Sequence, residues 1–263
     1  MRLVSLGCGG YIPNGRRETA SYLLIDGPTA VLFDIGTGAK RLLEPPLSLH
    51  LTQIEKLHVV LSHYHLDHSI GLTWMLKIWP KPFNIIAPQA PLVSAEAADA
   101  LSRLSSPPLF ALPLDEYPGS VTIQELRTKT FTIDGLHIDA MPQAHSGGSV
   151  AYRVGTTFAY VTDVDTTDSA AHVEFIRGVD LAFVDAMYDQ HTYRQQTENV
   201  SAKLDHGYDM GVARLGAEAA VGGLGLVHIS PEYDEKRVDS MTAGARGIFP
   251  SAFIPKDGQE FAL

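Results

Sequence analysis

The chain has 263 residues, with 20 Lys+Arg against 30 Asp+Glu and a formal net charge of −10. With 45% hydrophobic and 19% charged residues, its composition is that of a protein that buries a real core and excludes disorder as the dominant state. The negative balance argues against a protein held on nucleic acid by bulk charge, because phosphate binding draws on a basic surface. A single cysteine excludes an intrachain disulfide and a Cys-rich zinc knuckle. The unusual count is the 11 histidines.

The chain opens with a short strand at residues 3–6. A Gly-rich loop follows over 7–15 and contains Pro13 and Asn14. Apolar runs at 21–25 and 30–33, split by Asp26-Gly27-Pro28, read as a hairpin. Residues 37–56 read as a helix broken at Pro45-Pro46. A buried strand at 57–61 runs straight into a histidine cluster, and a helix at 70–79 stops at Pro80. A strand at 83–87, a helix at 92–104 and a Pro-rich loop at 105–118 come next. Strands are expected at 121–126, 129–133, 136–141, 150–154, 158–162 and 181–185, then a helix at 210–221 and a strand at 224–228. Strands interspersed with helices in this way indicate an α/β sandwich. We expect one domain over 1–263, with 105–118 as an excursion such as a lid or interface loop. The apolar opening is too short for a signal peptide. No apolar run approaches the roughly 20 residues of a membrane span. The expectation is a cytoplasmic protein with no membrane partner.

The strong signal is Ser62-His63-Tyr64-His65-Leu66-Asp67-His68. In an extended segment residues i and i+2 point the same way, so His63 and His65 can grip one metal. Asp67 and His68, where the chain turns toward a helix, can face a second. Each catalytic metal needs at least three protein donors. His145, Asp163 and His228 each follow an expected strand, where loops build active sites.

These motifs resemble the metallo-β-lactamase-fold hydrolases, through the His-x-His-x-Asp-His signature at His63, His65, Asp67 and His68. The resemblance runs from the Gly-rich loop to about residue 235. It implies a four-layer αββα sandwich and two divalent metal ions, zinc first, with manganese or iron as alternatives. His63, His65 and His145 would hold one metal, and Asp67, His68 and His228 the other, with Asp163 bridging. Asp34 would be the buried aspartate behind the ligands. Two metals about 3.5–4 Å apart can share a hydroxide, the nucleophile at neutral pH. Asp67 would orient it as well as bind metal. No G-x-S-x-G nucleophile elbow occurs, and Cys8 reads as inert packing.

Within that fold, Leu6-Gly7-Cys8-Gly9-Gly10 followed by Pro13 and Arg16-Arg17 resembles the ribonuclease Z and cyclic-phosphodiesterase branch. So do Asp185-Ala186-Met187-Tyr188 and His228-Ile229-Ser230-Pro231. The resemblance makes His206 a phosphate contact or the general acid, although Gly207 stands where that branch has serine or threonine. The short spacing from His145 to Asp163 leaves no room for a tRNA-gripping arm. The expected function is therefore a dinuclear hydrolase of a small or cyclic phosphodiester. A carboxylic ester or lactone hydrolase, with Tyr64, Tyr188 or Tyr193 near the carbonyl, is the alternative. Arg16, Arg17 and Arg194 read as solvated, with contact to a phosphate as the alternative, and Arg153 as a sheet-face ion pair. Apolar loops around Trp79 and Phe110 make a homodimer an option. The substrate-contacting residues are not legible.

Overall fold

The computed structural model describes residues 1–117, 120–198 and 205–263, with His50 and Leu76 by backbone only. Pro118, the last residue of the expected excursion, lies outside the described residues. The chain forms two compact units, residues 1–128 with 256–262, and residues 129–255 with Leu263.

The first unit holds a seven-stranded sheet built from β1 (Arg2–Gly7), β2 (Ser21–Asp26), β3 (Thr29–Phe33), β4 (Lys56–Val60), β5 (Phe83–Pro88), β6 (Val121–Leu126) and the chain's last strand, β14 (Gln259–Ala262). Its order is β14-β1-β2-β3-β4-β5-β6. The hairpin β2–β3 turns at Gly27, whose φ of 57° suits glycine. From β3 to β6 the pairing is parallel. Strands β3 and β4 are buried on both faces apart from Lys56, which is why they read as continuous apolar runs rather than alternating ones. Leu32, Val59, Leu61, Ile85 and Leu72 lie in one core cluster. Each such side chain stabilises the unit by roughly 1.5–3 kcal/mol when fully buried.

Three helix expectations are corrected here, and the one at 70–79 is a 3₁₀ segment (Ile70–Trp74) followed by a single helical turn (Met75–Ile78). Residues 37–56 form a 3₁₀ segment (Thr37–Leu43), one helical turn (Leu47–His50) and another 3₁₀ turn (Leu51–Gln53). Pro45 and Pro46 interrupt the ladder because a proline carries no amide donor. The helix expected at 92–104 spans only Ala97–Leu104. Before it, the Leu92 and Val93 amides turn back to the Gln89 carbonyl, and the Gln89 side chain accepts from the Ala97 amide. In the Pro-rich stretch, Leu114 and Tyr117 are buried in the core cluster, and the Tyr117 hydroxyl donates to the Leu72 carbonyl at 3.3 Å.

The second unit carries β7 (Thr130–Ile133), β8 (Leu136–Gln143), β9 (Ser149–Val154), β10 (Phe158–Val161), β11 (Leu181–Asp185), β12 (Gly223–Val227) and β13 (Ala252–Phe253). Their order is β13-β12-β11-β10-β9-β8-β7. Pairing is antiparallel from β7 to β10 and parallel from β10 to β13. The helix Asp209–Ala219 places Val212, Ala213 and Leu215 in a core with Val184, Leu224 and Leu226. It ends at Ala220, in the left-handed conformation at φ 51° that helix C-termini commonly adopt. The elements expected from sequence end at residue 228, and they leave out the helices Ala170–Ile176 and Gln190–Glu198, the helix Glu235–Arg246, capped by Asp234 accepting from the Arg237 amide, and both closing strands.

Arg17 and Arg153 are also corrected. Arg17 is buried, its amide held by the Asn14 side chain at 2.8 Å. Arg153 donates to the carbonyls of Gly155 and Phe175 instead of pairing with an acid.

Candidate metal centre

In the first unit the site begins where β3 and β4 end. Asp34 follows β3, is fully buried and sits at φ 53°, a conformation aspartate tolerates better than most residues. One carboxylate oxygen accepts from the Ser62 amide at 2.6 Å. The other accepts from the Ser62 hydroxyl at 2.7 Å and from His68 Nδ1 at 2.7 Å. Because an ionised carboxylate only accepts, His68 carries its proton on Nδ1 and presents Nε2 as the ligand atom. The same logic reaches His63. The Ser62 hydroxyl spends its proton on Asp34, so at 2.9 Å it accepts from His63 Nδ1, and Nε2 again becomes the ligand atom. A hydrogen bond on one ring nitrogen that fixes the other for metal is the usual outer-shell device.

The histidine segment is packed close behind this anchor. The Ile35 amide donates to the His68 carbonyl, and the Gly71 amide to the Ile35 carbonyl, both at 2.8 Å. A Cβ at Gly36 would collide with the Asp67 carbonyl, so only glycine lets the helix start this near the hairpin. The rings of His63 and His65 lie 4.5 Å apart and those of His63 and His68 4.4 Å apart. His68 Nε2 lies 3.4 Å from Asp67 Oδ2, an oxygen that also accepts from the Tyr11 amide at 2.7 Å. His65 alone of the four is exposed.

The second unit brings together His145, Asp163, His206 and His228. Asp163 and His228 stand just past β10 and β12, at φ 54° and 61°, and both are buried. The two oxygens of Asp163 face different histidines. Oδ2 lies 3.3 Å from His145 Nε2, and Oδ1 lies 3.4 Å from His228 Nε2. Donor atoms of Asp163, His206 and His228 all lie within 4.8 Å of one another. Two ligands each about 2.0–2.1 Å from a shared tetrahedral ion stand about 3.3 Å apart. The separations at Asp67–His68, His145–Asp163 and His228–Asp163 match that spacing, and borderline nitrogen and oxygen donors suit zinc, manganese or iron. The residues therefore fit divalent metal.

Sequence reading missed the two residues that orient these ligands, Ser62 and Asp185. Asp185 ends β11, is fully buried, and repeats in the second unit what Asp34 does in the first. It accepts from the Asp163 amide at 2.9 Å, from the Met187 amide at 3.1 Å and from His206 Nδ1 at 2.8 Å. Both residues stood inside quoted motifs, and the available signal was a polar residue closing an otherwise apolar strand. The His206 ring stacks on that of His228, centroids 5.0 Å apart. The glycine after it also has a physical reason. A Cβ at Gly207 would come within 2.7 Å of the Asp185 carbonyl, so serine or threonine does not fit this backbone.

The family profile described as the beta-lactamase superfamily domain matches residues 29–229. A ribonuclease BN from Salmonella gallinarum is 27% identical over 326 aligned positions, covering all of both chains. The crystal structure of the metallo-beta-lactamase fold protein YhfI from Bacillus subtilis is similar with a TM-score of 0.75 at 20% identity, over 99% of this chain and 98% of that one. A structure described as a new diphosphatase from the PhnP family is similar with a TM-score of 0.73 at 17% identity, over 100% and 97%. The metallo-β-lactamase fold expected from the histidine signature is thus the fold of this chain. Among the described residues, no helix is long and apolar enough to cross a membrane.

Proposed function

The chain belongs to the beta-lactamase superfamily, and we propose that it is a dinuclear metal-dependent hydrolase of small or cyclic phosphodiesters. The observation that carries this reading is Asp163, a buried carboxylate with one oxygen toward each of two histidines. His63, His65 and His145 would hold one metal, and Asp67, His68 and His228 the other, with Asp163 shared. Bound metal supplies Lewis acidity and lowers the pKa of water to about 7. Asp67, fixed by the Tyr11 amide, orients the attacking water. His206, with Nδ1 committed to Asp185, delivers a proton from Nε2 to the leaving oxygen.

A relative matched over its whole length is named a ribonuclease, which favours a phosphodiester, and a structural neighbour described as a diphosphatase favours phosphorus over carbon as the attacked centre. The short segment from His145 to Asp163 is taken up by the β9–β10 hairpin, with no inserted arm, which favours a small substrate over tRNA. The ester alternative loses two of its tyrosines. The Tyr64 hydroxyl donates to the Pro88 carbonyl at 2.6 Å. That of Tyr193 donates to Asp165 at 2.6 Å, and burial beside this carboxylate pushes its pKa up to about 12.

The test is hydrolysis of bis(4-nitrophenyl) phosphate and of a dialkyl-type diester by protein loaded separately with Zn²⁺ and Mn²⁺. Asp67→Ala should abolish turnover of both. His206→Ala should cut kcat by about 10²–10⁴-fold where an alkoxide leaves, and by less where 4-nitrophenolate leaves, since that anion departs without a proton. Absence of turnover with either metal refutes the phosphodiester reading and moves the search to lactones.

A further inference from the structure

The loop between β1 and β2 carries an exposed aromatic ring on a backbone that is fixed at both ends. The Cys8 and Glu18 amides donate to the two oxygens of Asp257 at 3.1 and 2.7 Å. Inside the loop, the Asn14 side chain accepts from the amides of Arg16 and Arg17 at 2.9 and 2.8 Å, and the Ile12 amide donates to the Gly10 carbonyl. At the tip, the Tyr11 amide donates to Asp67 Oδ2. Tyr11 adopts φ 64°, a region where a bulky residue is a genuine outlier. Asp34, Asp163 and His228 of the candidate centre share that region. Strained backbone of this kind clusters at active sites and ligand clamps. The side chain that the strain presents is not core. Tyr11 is 70% exposed, Ile12 54%, and Leu66, which immediately precedes Asp67, 63%.

Building on the phosphodiesterase reading, we propose that Tyr11 is a substrate-recognition residue that stacks on the planar base of a nucleoside phosphodiester. A flat ring on a preorganised loop loses little conformational freedom on binding. Stacking serves any base because every base has a π-face. The bond from the Tyr11 amide to Asp67 Oδ2 ties the backbone that carries the ring to a candidate metal ligand, so a base stacked on Tyr11 would belong to a substrate whose phosphate lies near that ligand. Ile12 and Leu66, next in sequence to Tyr11 and Asp67, are exposed apolar residues as well.

The backbone makes the test clean. Tyr11→Gly deletes the ring and relieves the strained φ, since glycine occupies that region at no steric cost, so thermal melts should show no loss of Tm. Tyr11→Phe keeps the stacking face. The zinc-loaded full chain is assayed on thymidine 5′-(4-nitrophenyl phosphate) and methyl 4-nitrophenyl phosphate, which share a leaving group and differ only in the base-bearing half. Tyr11→Gly should raise the ratio of the two KM values, nucleoside over methyl, by about 5- to 150-fold, and Tyr11→Phe should restore the wild-type ratio. Thymidine monophosphate binding, measured calorimetrically, should weaken in the same order. An unchanged KM ratio in Tyr11→Gly, with the wild type active on both diesters, overturns the role of Tyr11 and spares the phosphodiesterase reading. A wild type inactive on both overturns the two together.

Discussion

Asp34→Asn is the perturbation that most directly tests how the first donor set is oriented. Asparagine matches aspartate in shape and also tolerates positive φ, so the backbone at φ 53° is not disturbed. What changes is the hydrogen-bond logic. The carboxylate accepts three bonds, from the Ser62 amide, the Ser62 hydroxyl and His68 Nδ1. If the amide oxygen keeps the Ser62 amide, an NH₂ group takes the place of the oxygen that served the other two donors. Two bonds to a buried charge are lost, each worth about 1.5–3 kcal/mol. Rotation of the Ser62 hydroxyl and a tautomer change at His68 recover part of that, leaving a net loss of about 2–4 kcal/mol. The tautomer change moves the His68 proton to Nε2, the ligand atom, and loss of an outer-shell partner of this kind typically lowers metal affinity 10–100-fold. Urea unfolding of the metal-free protein reads the first quantity, and competition with a chromophoric chelator reads the second. Asp34→Asn with wild-type zinc affinity and stability within 0.5 kcal/mol, about the scatter of a neutral surface substitution, would refute the orienting role.

Three other groups give expectations that need no substrate. Cys8 is fully buried, and burial, with the Asp257 charge adding to it, holds its thiol well above the usual value. A thiol reagent at pH 8 should therefore leave the folded protein unmodified and label one equivalent after denaturation, because the thiolate is the reactive form. Burial lowers His172 to about 4, so between pH 6.5 and 4 the unfolded chain binds a proton that the folded one refuses. Stability should fall as pH drops through that window, and His172→Asn should remove about 3 kcal/mol of the fall in pH-dependent urea melts. Asp209 runs the other way. Burial raises it to about 6, so between pH 6 and its ordinary value of 3.8 the folded state holds the extra proton and gains stability as pH drops. Asp209→Asn should abolish that gain, also about 3 kcal/mol, and steepen the acid loss that His172 causes.

Much of this protein is decided locally. The hairpin at Asp26-Gly27-Pro28, the buried strand before His63 and the turn that follows were legible because apolar runs and turn residues act over a few positions. The His63–His68 cluster is a property of one strand end, and His145, Asp163 and His228 each stand where the chain leaves a strand, so their candidacy was visible too. The break at Pro45-Pro46 was legible as well, but the late start of the helix at Ala97 was not, because the Gln89 side chain sets it through a contact beyond the local pattern. Likewise the closing strand β14 finds its place only by pairing with β1, at the other end of the chain. The orienting bonds of Ser62 and Asp185 depend on side chains 28 and 21 residues away in sequence. The exclusion of serine at position 207 depends on a carbonyl across the fold. The exposure and positive φ of Tyr11 and the bond from its amide to Asp67 are visible only in the folded chain. Residue type and spacing determine which groups can bind metal. Which nitrogen is left free for it is set by hydrogen bonds between segments distant in sequence, and periodicity carries no record of those.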